Sequence, residues 1–118
     1  MDKKELLKNI VKVLDSKKAE DISVIEIEDL TIIADYFVIA TALNSTHIKA
    51  LVDEVEFQIE KLGVTATKVE GDRASGWLVM DYDWIMVHVF VKDSREFYRL
   101  ERLWADGKPV DISDIIEQ

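Results

Sequence analysis

Two histidines, one pair of aspartates and a set of aromatic side chains are the residues of this chain with chemistry beyond scaffolding. Asp81-x-Asp83 has the period-two spacing that puts two carboxylates on one face of an extended strand, as metal-dependent phosphoryl transfer requires. The same two residues interrupt the apolar runs Trp77–Met80 and Ile85–Val91, where Asp favours a turn, and the turn is the stronger reading. His88 lies mid-run and shares its face with Trp84, Met86 and Phe90 by period-two alternation. A general base at that position lacks a recognisable serine or cysteine nucleophile, so a hydrogen-bonded, half-buried histidine fits better. His47 opens a helix, where a surface or capping role is expected. Two histidines this far apart, without thiolates or a paired His-x-x-x-His, are a weak zinc signal. The absence of cysteine removes thiol catalysis, disulfides and thiolate metal sites together. Four glycines, at 63, 71, 76 and 107, form no phosphate-binding fingerprint. No cofactor is implied.

The elements that must position these residues follow from apolar periodicity. Leu6, Leu7, Ile10, Val11 and Leu14 predict an amphipathic helix over 3–17. Ile22, Val24 and Ile27, with Glu26 and Glu28 interleaved, predict a short half-exposed strand. Tyr36–Ala42 is apolar on both faces and reads as a central strand covered on both sides. Asn44-Ser45-Thr46 supplies N-cap candidates for a helix carrying Ile48, Leu51, Val52, Val55, Ile59 and Leu62, with Gly63 as its left-handed terminator. Residues 64–70 alternate weakly, and Glu70–Gly76 reads as a flexible polar loop. The runs Trp77–Met80 and Ile85–Val91 are close enough to pair as an antiparallel hairpin. Asp93 and Glu96 have capping-box spacing before a helix with Phe97, Leu100, Leu103 and Trp104 on one face, ended by Gly107 and Pro109. Ser113 is a candidate cap for a short tail ending in Ile115-Ile116. The expected architecture is one α/β domain over 1–118, core about 3–107 with a short C-terminal tail, built on a mixed sheet of about five strands flanked by helices.

Charge narrows the class of partner. With 24 acidic and 15 basic residues the net charge is −9, which disfavours gripping phosphate backbones, and no basic stripe interrupts it. Residues 21–60 hold nine acidic side chains and one basic one, so most of the excess lies there. That block reads either as a solubilising surface or as one that steers toward a basic partner. No stretch approaches the ~18 apolar residues of a membrane span, and the charged start lacks a signal peptide's apolar run, so no membrane association and a cytoplasmic location are expected. The C-terminal helix joins aromatics to arginines (Arg95, Tyr98, Arg99, Arg102), a composition common in protein-binding patches.

Ala34–Thr41, then Asn44-Ser45 and His47, resembles the ribosomal silencing factor (Iojap-like) family. Glu70-Gly71, Gly76-Trp77, Asp81, Val87–Phe90 and the Ser94–Trp104 ending continue the likeness over about residues 3 to 107. Members usually have Gly-Asp in the turn after the position of Asp81, where this chain has Asp83-Trp84, which puts a large aromatic on the rim. The resemblance implies a non-enzymatic translational repressor active under nutrient limitation. It implies binding to a basic ribosomal protein on the subunit-facing side of the large ribosomal subunit, blocking joining with the small one, with no dominant direct nucleic-acid contact. It also implies a nucleotidyltransferase-like topology without an evident active site, and a homodimer when free. A nucleotidyltransferase-like metal enzyme using Asp81 and Asp83 is the alternative. That fold's chemistry expects Gly-Ser after the central strand, and Leu43-Asn44-Ser45 lacks the glycine. The matched positions expected to bind the partner are Trp77, Asp81, His88, Tyr98, Leu100, Glu101, Leu103 and Trp104, with core packing competing for Leu100, Leu103 and Trp104.

Overall fold

The computed structural model describes residues 2–116; Met1, Glu117 and Gln118 lie outside the described residues. Helix α1 spans Lys3–Ser16, with Asp2 as its N-cap accepting from the Glu5 N–H at 2.8 Å. It buries the five apolar residues that its periodicity marks. Strand β1 (Glu20–Glu26) follows, with a register shift between Glu20 and Ser23, and β2 (Tyr36–Ala42) is buried along its whole length. Helix α2 (Ser45–Lys61) is capped by Asn44, whose side chain accepts from the His47 N–H at 2.8 Å, and Gly63 beyond its end takes φ +90°.

Strand β3 (Lys68–Asp72) is exposed throughout; a 3₁₀ turn at Arg73–Ser75 joins it to β4 (Trp77–Asp81), and β5 is Ile85–Val91. Glu70, Gly71 and Asp72, expected in a loop, therefore belong to a strand. Gly71, at φ +107°, explains the tight approach, since a Cβ there would overlap the Trp77 carbonyl oxygen across the ladder. Helix α3 is Lys92–Tyr98, α4 is Leu100–Leu103, and β6 is the two-residue strand Lys108–Pro109. The sheet has six strands in the order β3-β4-β5-β2-β1-β6, against about five expected. The added one is β6, where Pro109 sits on an outer edge that tolerates a missing N–H. Among the described residues only β2 and β5 are parallel, and they form the centre of the sheet.

Two apolar layers result. On one face α1 and α2 pack against Val24, Val38, Leu78, Met80, Val87 and Val89. On the other, Ile25, Ile39, Phe37 and Phe90 pack with Leu100, Trp77, Met86 and Trp104. Fully burying a side chain such as Phe90 stabilises by roughly 2–3 kcal/mol, so each layer has several such anchors.

Three local expectations are corrected. The C-terminal helix is not continuous: Arg99 takes φ 47° and ψ 56°, ending α3 and opening α4 at a different angle. The Asp93–Glu96 capping box does not form, because α3 starts straight from β5 with Val91 at the cap position and no side-chain cap bond. In the tail, Asp111 and not Ser113 accepts the turn bond, from the Ser113 N–H at 2.9 Å. Among the described residues no helix is long and apolar enough to cross a membrane.

Candidate functional site

The alternation of β4 places Trp77, Val79 and Asp81 on the face away from α1 and α2, and β5 adds Met86, His88 and Phe90 to it. Helix α3 lies against β5 and β2 on this face. The face's aromatic side chains form one connected array. Trp104 meets Phe37 edge-on at 5.4 Å, and Phe37 meets His88 edge-on at 4.7 Å. Trp77 stacks on Phe90 at 5.0 Å and touches Tyr98 at 4.5 Å, and Tyr98 meets Phe97 at 5.0 Å. The array thus runs from the buried core to solvent, where Tyr98 is 44% and Phe97 80% exposed.

His88 is the polar centre of the array. Its Nδ1 accepts from the Trp77 indole N–H at 3.2 Å, and its Nε2 has no hydrogen-bond partner among the described residues. Burial at 4% exposure, with aromatic neighbours, pushes its pKa down to about 4, so the ring is neutral at pH 7 and fixes the indole orientation.

Arg95 holds the helical segment to the sheet. Its guanidinium, mostly buried, donates to the Asp21 carbonyl, to Thr41 Oγ1 at 2.7 Å, to Ser23 Oγ at 3.4 Å and to both carboxylate oxygens of Glu101. One side chain therefore ties α3 to β1, β2 and α4.

The structure brings Trp77, His88, Tyr98, Leu100 and Trp104 together on this face. Leu100 is buried and Trp104 half-buried, so both are largely scaffold, whereas Leu103 projects into solvent. Glu101 is turned toward Arg95. Asp81 shares the face at the far end of β4, about 13 Å from Trp77 at strand rise. Its carboxylate accepts from the Asp83 N–H at 2.8 Å, and Asp83, at φ 67°, accepts from the Thr67 hydroxyl at 2.8 Å. These carboxylates close a turn, and no group of His, Asp and Glu among the described residues is arranged to hold a metal ion. His47 links helices: its Nδ1 accepts from the Leu43 N–H, and its Nε2 donates to the Lys17 carbonyl at 2.8 Å.

Charge around the face comes from an unexpected place. The acids of α2 (Asp53, Glu54, Glu56, Glu60) belong to the helix covering the opposite side of the sheet. The carboxylates beside the aromatic array are Glu70, Asp72 and Asp81, which share its face through the β3–β4 register, with Lys68 paired to Glu70 at 3.3 Å. Sequence reasoning missed Phe97 as a site residue, and it placed Arg95 in a binding patch without its pairing to Glu101. It also missed the exposed run Ile32-Ile33, although the rim position of Trp84 was legible. Lys3 caps the Trp84 ring at 4.9 Å and pairs with Asp35.

Comparison with known proteins adds an independent line. A family model described as ribosomal silencing factor during starvation matches residues 1–118. The ribosomal silencing factor RsfS of Bacillus subtilis is 35% identical over 112 residues, covering 95% of each chain. A mouse protein named mitochondrial assembly of ribosomal large subunit protein 1 is 32% identical over 99 residues, 81% of this chain and 43% of its own length. Protein CV0518 from Chromobacterium violaceum, solved by crystallography, superposes with a TM-score of 0.85 at 28% identity, covering 89% of this chain and 88% of that one.

Proposed function

The chain belongs to the ribosomal silencing factor family, and from that premise we propose that it represses translation by occupying the subunit-facing side of the large ribosomal subunit. The contact is with a basic ribosomal protein, and the action is steric: a bound copy keeps the small subunit from joining. No catalytic step is required of it. The observation that carries this reading is the aromatic array, continuous from core to solvent, with Tyr98 and Phe97 exposed, Leu103 exposed on α4 and three carboxylates on the adjoining strands. Rigid aromatic anchors in a partly desolvated patch are the usual source of binding energy in protein interfaces. The carboxylates of the β3–β4 edge favour a positively charged partner there.

The binding residues on this reading are Trp77, Tyr98 and Leu103 as direct contacts and Asp81 as a charged border. His88, Leu100, Glu101 and Trp104 hold those contacts in place. When free in the cytoplasm the protein pairs with a second copy, and ribosome binding needs no cofactor. The test is sucrose-gradient sedimentation of purified large and small subunits. Excess protein is expected to hold large subunits apart from small ones and to sediment with them; unchanged formation of joined ribosomes refutes the proposal.

A further inference from the structure

Lys92, Arg99 and Arg102 have no carboxylate within ion-pair distance among the described residues, although acids outnumber bases 24 to 15 in this chain. All three border one cavity of about 840 Å³, well within the size range of small-molecule sites. Its lining includes Ser23, Thr41 and Arg95. Arg95 has every N–H engaged and its charge neutralised by Glu101, so it acts as a fixed wall. Thr41 is only 5% exposed; its Oγ1 accepts from Arg95, and its own hydroxyl proton has no acceptor among the described residues. The Ser23 hydroxyl proton is in the same position. Two donors thus lie beside three free cations. Asp21 and Glu96 oppose those cations, leaving a net positive cavity on a molecule of net charge −9.

The place in the fold points the same way. Strands β2 and β5 are the one parallel pair; β2 leads into α2 on one face of the sheet, and β5 leads directly into α3 on the other. Open α/β sheets bind ligands at the carboxyl ends of strands where the connections diverge in this way. Thr41 is the penultimate residue of β2, and Lys92 is the first residue after β5.

We propose that this cavity binds a small molecule carrying at least two phosphate charges, such as a sugar bisphosphate or a diphosphate group. Thr41 and Ser23 donate their hydroxyl protons to phosphate oxygens, and Lys92, Arg99 and Arg102 neutralise the charge. Ile22 is the sole apolar side chain in the lining and no aromatic is present, so the cavity offers nothing for a nucleobase to stack on. It is an open recess without the stacking aromatics of a single-strand nucleic-acid groove.

The inference does not depend on the ribosome, and its test uses the free protein. Backbone amide NMR shifts are followed while pyrophosphate or a hexose bisphosphate is added, with sulfate at matched ionic strength as control. Saturable shifts are expected around residues 21–23, 41–43 and 92–102. The double variant R99A/R102A, altered at exposed side chains, is expected to bind both probes roughly tenfold or more weakly while keeping its fold. T41V is expected to weaken binding less. The proposal is overturned if no shift saturates by about 10 mM probe. It is equally overturned if sulfate reproduces the shifts, if R99A/R102A binds like the parent, or if a single-stranded RNA binds the cavity more tightly than pyrophosphate.

Discussion

His88 makes folding stability dependent on acid in a way that one substitution removes. The ring is buried among Phe37, Phe90 and Trp77, and no charged group compensates its protonation there, so its pKa falls from the usual 6.5 to about 4. The unfolded chain takes up a proton below about pH 6.5, whereas the native chain does so only near pH 4. Between those limits the unfolded state holds more protons, so stability rises with pH and is lost as pH falls. At about 1.4 kcal/mol per pKa unit the full effect is on the order of 3 kcal/mol, with most of it, about 2 kcal/mol, expressed between pH 7 and pH 4.5. His88→Gln keeps an acceptor for the Trp77 indole but cannot titrate. Urea unfolding followed by tryptophan fluorescence is measured for both proteins at pH 7, 6, 5 and 4.5. The variant is expected to be less stable at pH 7 and to lose about 2 kcal/mol less on acidification. Carboxylate titration is common to the two proteins and cancels. Parallel stability curves would refute the argument that burial keeps His88 neutral.

Arg95→Met removes the group tying α3 to β1, β2 and α4 and strands the Glu101 carboxylate; a stability loss of about 3 kcal/mol in urea is expected, with amide exchange accelerating over residues 92–104. Gly71→Ala places a methyl against the Trp77 carbonyl at a positive φ; a loss of about 1–3 kcal/mol is expected from the same unfolding assay, with exchange faster in β3 and β4.

The parts of the fold set by local pattern were legible in the sequence. The central strand, α1, α2 with its Asn44 cap and the β4–β5 pairing all follow from periodicity and capping chemistry. The C-terminal segment was not, and the reason is geometric. On a continuous helix Arg95 and Glu101, six residues apart, point in widely different directions around the axis, so periodicity conceals their pairing. The left-handed turn at Arg99, a residue with no special preference for it, brings them together and separates exposed Phe97 from buried Leu100. Charge has a similar limit. The acidic block of 21–60 is real in sequence, but its helical part covers the face opposite the aromatic array. Glu70, Asp72 and Asp81 join the array only through β-sheet register, which composition does not encode.

The central claim is that the aromatic face is the surface that meets the ribosome. Co-sedimentation of the protein with purified large subunits tests it most directly, comparing Tyr98→Ala/Leu103→Ala with a control pair on the opposite side, Asp53→Lys/Glu60→Lys. All four side chains are exposed or partly exposed, so both variants should fold. The account predicts that the first pair weakens binding by roughly 100-fold, as truncation of two interface anchors does, while the second binds within a few-fold of the parent. Retained binding by the first pair, with loss in the second, would contradict it.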